Sequence, residues 1–117
     1  MALGPKMRNS LQLCLFCALL MLGAPRSWSS ELFAQVSGCA TCHNIDRPTV
    51  GPSYLDIANR YRGNSQARAR LFDTVKFGGK GNWSTISKGV PMPHYGPVLK
   101  DSEIKMLVDW ILSLENG

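Results

Sequence analysis

Five consecutive residues, Cys39-Ala40-Thr41-Cys42-His43, constrain this chain more than any other stretch. Two cysteines three positions apart on a helix-like turn present both sulfurs to one side, and the histidine that follows is carried along with them. This is the C-x-x-C-H spacing of covalent c-type haem attachment. Each thiol adds across one of the two vinyl groups of a single haem, and His43 is placed to ligate the iron through its imidazole. Three plainer readings compete. A thioredoxin-like redox pair uses C-x-x-C inside a βαβ context, and no strand is evident. A structural zinc site built from Cys39, Cys42, His43 and His94 would use adjacent ligands and lacks a second C-x-x-C. A Cys39–Cys42 disulfide needs only an oxidising compartment.

The N-terminus says which compartment is at issue. Lys6 and Arg8 stand before a 14-residue run, Leu11 to Ala24, that is broken only by Gln12. As a helix that run spans roughly 21 Å, short of the roughly 30 Å hydrocarbon core, so a membrane anchor is the weaker reading. Ser27 and Ser29 supply small residues at −3 and −1 of a cleavage site. A cleavable signal peptide over 1–29 follows, with export to the periplasm. Neither Cys14 nor Cys17 follows a pair of small residues, which argues against a lipoprotein signal. Export also changes the charge. The whole chain carries +5, but without Lys6, Arg8 and Arg26 ten basic residues face eight acidic ones. Nucleic acid is therefore not an expected partner.

Residues 30–117 form one domain. Ser30 is expected to cap a short helix to about Ser37 with Leu32, Phe33 and Val36 on one face, ended by Gly38. Arg47 to Pro52 holds two prolines and a glycine and reads as a loop. A helix is predicted over Tyr54–Tyr61, with Leu55, Ile57, Ala58 and Tyr61 for packing. Another starts at Asn64 or Ser65 and ends at Gly78-Gly79, with Ala67, Leu71, Phe72 and Val75 in register. Residues 78–100 show no period. The last helix, capped by Asp101 or Ser102, carries an apolar stripe of Ile104, Leu107, Val108, Ile111 and Leu112. The fold class is all-α. Short helices, a long loop and no disulfide make a poor core unless a large apolar group completes it, and a buried haem is such a group.

The sixth iron position has several candidates: Met92, Met106, His94, a lysine, or no ligand at all. Met106 lies beside the apolar stripe and is expected to pack. Met92 sits in Gly89-Val90-Pro91-Met92-Pro93-His94, where two prolines leave the loop little freedom to lose. Met92 is the expected ligand, and His94 a loop-surface residue.

Nearly all of 30–117 resembles the small bacterial class I monohaem cytochromes c, the kind that carry electrons to periplasmic nitrite reductases and terminal oxidases. The resemblance runs through Leu32-Phe33, Cys39-Ala40-Thr41-Cys42-His43, Val50-Gly51-Pro52-Ser53-Tyr54, Gly81-Asn82-Trp83, Pro91-Met92-Pro93 and Asp109-Trp110-Ile111-Leu112-Ser113. It implies a cytochrome c fold of four to five short helices around one covalent haem c, with first and last helices crossing. It also implies that the Pro52 carbonyl meets the free ring nitrogen of His43, and that Trp83 hydrogen-bonds a haem propionate. Two departures stand out. The stretch from Trp83 to Met92 is about four residues longer than in such proteins, Thr85 to Gly89 being extra. His94-Tyr95 also stand where the family places an asparagine that polarises the methionine sulfur.

The expected function is electron transfer, with His43 and Met92 filling both axial positions and no substrate of the protein's own. No catalytic nucleophile or acid–base pair is evident, so the chain is not expected to be an enzyme. It could serve as the haem subunit of a periplasmic dehydrogenase, or, as a different class, as a gas-binding sensor in which Met92 is displaced. Donor and acceptor redox proteins are the expected partners of a monomer or complex subunit. Eight basic residues and a single acid, Asp73, between Arg60 and Lys100 suggest acidic partner surfaces.

Overall fold

The computed structural model describes residues 26–117; the apolar run Leu11–Ala24 expected to serve as a signal lies outside the described residues. Five α-helices follow one another: α1 (Arg26–Val36), α2 (Tyr54–Tyr61), α3 (Ala67–Phe77), α4 (Ser84–Ser87) and α5 (Asp101–Leu112), with a 3-10 turn at Cys39–Thr41 between the first two. The described residues form no strand, only isolated bridges between His43 and Pro48 and between Gly79 and Met92. The all-α expectation holds.

Helix α5 is the centre. Its stripe of Ile104, Leu107, Val108 and Ile111 is buried, together with Trp110, and α1, α2 and α3 all pack against it. Ile104 and Val108 are fully enclosed. The helix starts one residue earlier than expected. Lys100, in extended conformation, is the cap, and its N–H donates to Glu103 Oε2 at 2.7 Å. A carboxylate reaching back from the third helical position satisfies an orphan amide, so a residue without an acceptor side chain can cap. Asp101 and Ser102 move into the first turn, where an acid suits the helix dipole. Met106, expected to pack, lies on the exposed side of the helix.

Helix α1 departs further from expectation. It begins at Arg26, directly after Pro25 in the sequence, so Ser30 is not its cap but a buried residue within it. The buried face carries Ser30 and Ala34, with Phe33 half-buried, whereas Leu32 and Val36 are exposed at 59% and 74%. Small side chains at i and i+4 suit a close approach to α5; larger ones would hold the two helices apart.

Helix α2 matches its expected span and opens with a capping box. Asp56 N–H donates to Ser53 Oγ at 3.0 Å and Ser53 N–H to Asp56 Oδ2 at 3.2 Å. Helix α3 starts at Ala67, later than expected, because Asn64 Oδ1 accepts from Gln66 N–H at 2.9 Å and holds residues 64–66 in a turn. Gly78, at φ 70°, ends it. The segment expected to be structureless contains α4 and is closed by the Gly79–Met92 bridge.

Candidate cofactor site

The C-x-x-C-H residues are delivered by the end of α1. Gly38, in the left-handed region at φ 84°, turns the chain into the 3-10 turn, and Cys42 and His43 both donate their N–H to Cys39 O, at 3.1 and 3.0 Å. Cys39, Cys42 and His43 thereby line one cavity. Both thiols are free, which removes the disulfide reading. Burial pushes the Cys39 thiol above its usual range, with the neighbouring Cys42 adding to the rise against an opposing backbone hydrogen bond. A redox C-x-x-C relies on a depressed thiolate, so the shift has the wrong sign for that chemistry. Among the described residues no group of three or more His, Cys, Asp or Glu could hold a metal, and His94 is exposed outside the cavity, so the zinc reading fails as well.

The loop after the motif folds back on it and fixes the imidazole. Gly51 N–H and Thr49 Oγ1 both donate to Cys42 O, at 2.8 and 2.7 Å. His43 Nδ1 lies 2.7 Å from Pro52 O, and since a carbonyl only accepts, Nδ1 carries the proton. The lone pair is then on Nε2. The ring stacks on Tyr54 with centroids 5.6 Å apart, and Tyr54 meets Trp110 of α5 edge-on at 5.0 Å. Gly51 admits this packing: a Cβ there would sit 2.7 Å from His43 Cε1 and 3.0 Å from Nδ1.

Met92 lines the same cavity and is held by its backbone. Its N–H donates to Gly79 O at 2.8 Å and its carbonyl accepts from Gly79 N–H at 2.9 Å. Gly78 lies so close that a Cβ there would be 2.5 Å from Met92 O, at a positive φ that already favours glycine. Farther on, Tyr95 and Gly96 N–H donate to Val75 and Lys76 O, both at 3.0 Å, fastening residues 92–96 along the end of α3. Trp83 also lines the cavity. The Arg60 guanidinium covers its ring at 4.7 Å and donates to Asn82 O at 3.3 Å. Of the other ligand candidates, Met106 and His94 are not part of the lining, whereas Lys80 is.

Several lining residues carried no signal in the sequence as site residues: Tyr54, Thr74, Ser87, Leu107 and Ile111. Leu107 and Ile111 read as core stripe, and they are; the core and the cavity wall are the same surface. Tyr54 and Ser87 are different, because each buries a hydroxyl that makes no hydrogen bond within the described chain. Burial also pushes the Tyr54 phenol far above its usual range, Cys39 adding to the effect, so it stays protonated as a neutral donor.

The space between the walls measures about 1120 Å³, part of it open solvent. Its walls are largely apolar and contain two free thiols, an imidazole with its lone pair on Nε2, a backbone-clamped thioether and two unmatched hydroxyls. That donor set fits a haem: thiols for its vinyls, nitrogen and sulfur for its iron, apolar walls for its faces.

Comparison with known proteins points the same way. The family model described as Cytochrome c matches residues 29–115. Cytochrome c-551 of Allochromatium vinosum is 44% identical over 94 residues, covering 80% of this chain and 95% of that protein. Cytochrome c-552 of Hydrogenobacter thermophilus is 37% identical over 89 residues, covering 76% of this chain and 85% of that protein. The crystal structure of wild-type Nitrosomonas europaea cytochrome c552 superposes with a TM-score of 0.62 at 35% identity, covering 70% of this chain and 95% of that one.

Proposed function

We propose that this chain, which belongs to the cytochrome c family, carries single electrons in the periplasm on one haem c whose iron is held between His43 and Met92. Membership of that family makes it an electron carrier with covalently attached haem rather than an enzyme. The observation that carries the finer reading is that one cavity brings together Cys39, Cys42, an imidazole with Nδ1 committed to Pro52 O, and a methionine fixed by two backbone hydrogen bonds.

When bound, the haem supplies a one-electron ferric/ferrous couple. Cys39 and Cys42 would hold it through thioether links to its two vinyl groups. His43 presents Nε2, and the hydrogen bond to Pro52 O both fixes the ring and raises its basicity. Met92 contributes a soft thioether that favours ferrous iron and raises the potential. Trp83, in the cavity lining with the Arg60 guanidinium over its ring, would donate its indole N–H to a haem carboxylate. The apolar lining would lower the polarity around the iron, which acts in the same direction as Met92.

The gas-binding alternative requires the Met92 sulfur to leave; the two bonds to Gly79 fix the backbone that carries it, so the loop cannot withdraw and only a side-chain rotation would free the position. Visible spectra of the matured protein test the choice. A far-red sulfur-to-iron band in the ferric form, and a ferrous spectrum that carbon monoxide leaves unchanged, are expected. Absence of the band with ready carbon monoxide binding overturns the closed His43–Met92 site.

Export rests on the charged and apolar pattern of residues 1–24, with a cut after Ser29 supported by a family match that begins at residue 29. Such a cut trims the first turn of α1 and leaves Ser30 at its start. No helix among the described residues is long and apolar enough to cross a membrane.

An acidic redox partner is the expected docking surface. Arg68 and Lys76 are spent on Asp109 and Asp101, at 2.8 and 2.9 Å. Lys80, in the cavity lining, and the exposed Lys88 have no ion pair among the described residues. Electron-transfer rates with such a partner are expected to fall about tenfold as salt rises from roughly 0.01 M to 0.15 M, because the Debye length shrinks from about 30 Å to 8 Å. A flat stopped-flow salt profile rules out electrostatic steering.

A further inference from the structure

Resting on the haem reading above, we infer that Tyr54 is a positioning residue for His43. Its ring, braced edge-on by Trp110 of α5, lies along one face of the imidazole and sets the plane in which Nε2 is presented.

The hydrogen bond from Nδ1 to Pro52 O, at 2.7 Å, aims one edge of the imidazole but does not fix its plane. Carbonyl oxygens accept over a broad range of directions, so the ring can still roll about the N–H···O line. The last torsion of a histidine is no stricter, being broad and roughly two-fold. Contacts on the faces of the ring therefore decide its plane. Tyr54 supplies such a contact, with centroids 5.6 Å apart and 23° between the planes. An aromatic pair at that separation contributes beyond the area it buries.

Tyr54 can set a plane because it is itself held. Its N–H donates to Asn44 O at 2.9 Å and the Leu55 N–H to Ile45 O at 3.0 Å, so the start of α2 is tied to the two residues after His43. The Ser53–Asp56 capping box fixes where that helix begins. Trp110, like Tyr54 only 5% exposed, then meets the Tyr54 ring edge-on at 5.0 Å and 63°. Helix α5 thus reaches the imidazole through two packed rings. The ring of Tyr54 makes both contacts, whereas its hydroxyl makes no hydrogen bond within the described chain. The positioning belongs to the ring.

The test compares wild-type holoprotein with Tyr54→Phe, Tyr54→Leu and Trp110→Phe, read by proton NMR of the four haem methyl groups in the ferric cyanide adduct. Cyanide is axially symmetric and takes the position assigned to Met92, so the spacing of the methyl shifts reports the plane of His43 alone. Tyr54→Phe keeps both ring contacts and is expected to keep the wild-type spacing. In Tyr54→Leu the face contact is gone, the preference for one imidazole plane falls about threefold to tenfold, and the methyl shifts draw together. Trp110→Phe weakens only the brace and moves them the same way by less. A wild-type spacing in Tyr54→Leu overturns the proposal even if the variant melts lower, since a residue that only fills space changes stability and not the plane. So does a spacing in Tyr54→Phe displaced as far as in Tyr54→Leu, which would assign the effect to the hydroxyl. Should Tyr54→Leu fail to retain haem, Trp110→Phe decides, and an unchanged spacing there overturns the brace. A wild type without covalent haem overturns this proposal together with the functional reading. One that holds haem but lacks the far-red band fails only in Met92 ligation, and the cyanide adduct still decides Tyr54.

Discussion

In Met92→Ala the far-red band disappears, carbon monoxide binds the ferrous protein, and the reduction potential drops by an appreciable part of the roughly 0.8 V over which axial ligands tune haem proteins. The fold is expected to survive. Met92 is held through its N–H and carbonyl, and alanine keeps both bonds to Gly79. Attachment through Cys39 and Cys42 is untouched, so the variant should still run as a haem-stained band after denaturing electrophoresis. The two halves of this expectation separate ligation from folding. Retention of the band would mean another sulfur holds the iron, and among the described methionines only Met106 remains, exposed and outside the cavity lining.

Gly51→Ala acts on His43, the other proposed axial residue. The new Cβ would stand 2.7 Å from His43 Cε1, 3.0 Å from Nδ1 and 3.2 Å from Cys42 O, closer than such contacts allow. His43 cannot simply withdraw, because Nδ1 is bonded to Pro52 O. Either the ring tilts or the loop lifts. Overpacking of this kind costs about 1–3 kcal/mol, which in a domain of this size lowers Tm by roughly 5–20 °C. Thermal melts followed at the Soret band and by far-ultraviolet circular dichroism measure it. Gly51 has no positive φ, so its loss comes from the close approach alone, whereas Gly63→Ala, at φ 75° with open space around its would-be Cβ, gives the cost of left-handed strain for comparison. Melting of Gly51→Ala at the wild-type temperature would mean that the close approach to His43 carries no cost.

How much of this was legible from residue order depends on what kind of physics placed each residue. The C-x-x-C-H motif is governed by covalent geometry within five residues, so spacing alone pointed to the chemistry. The α5 stripe was equally plain, because Ile104, Leu107, Val108 and Ile111 repeat with the helix and all four are buried. Helix α1 misled for a definite reason. Leu32 and Val36 are the bulky residues, yet a close crossing on α5 selects the small Ser30 and Ala34 for the inner face. Lys100 as a cap was illegible because the acceptor belongs to Glu103, three residues on. Ser87 and Tyr54 lie beyond any local rule: they enter the cavity lining only when α2, the 83–91 segment and α5 enclose a common space.

The pairing of Gly79 with Met92 has a consequence for how such a chain can change over time. The two residues close a loop of twelve, residues 80–91, with a pair of backbone hydrogen bonds at its neck. Inserting or deleting residues inside a loop closed at the neck leaves the neck where it was. Growth from about eight residues to twelve raises the closure entropy by only about 0.4 kcal/mol. The stretch between Trp83 and Met92 is thus free to vary in length while the backbone that carries the Met92 side chain stays paired just beyond the end of α3. A carrier built this way can be retuned by lengthening a loop without relocating a ligand.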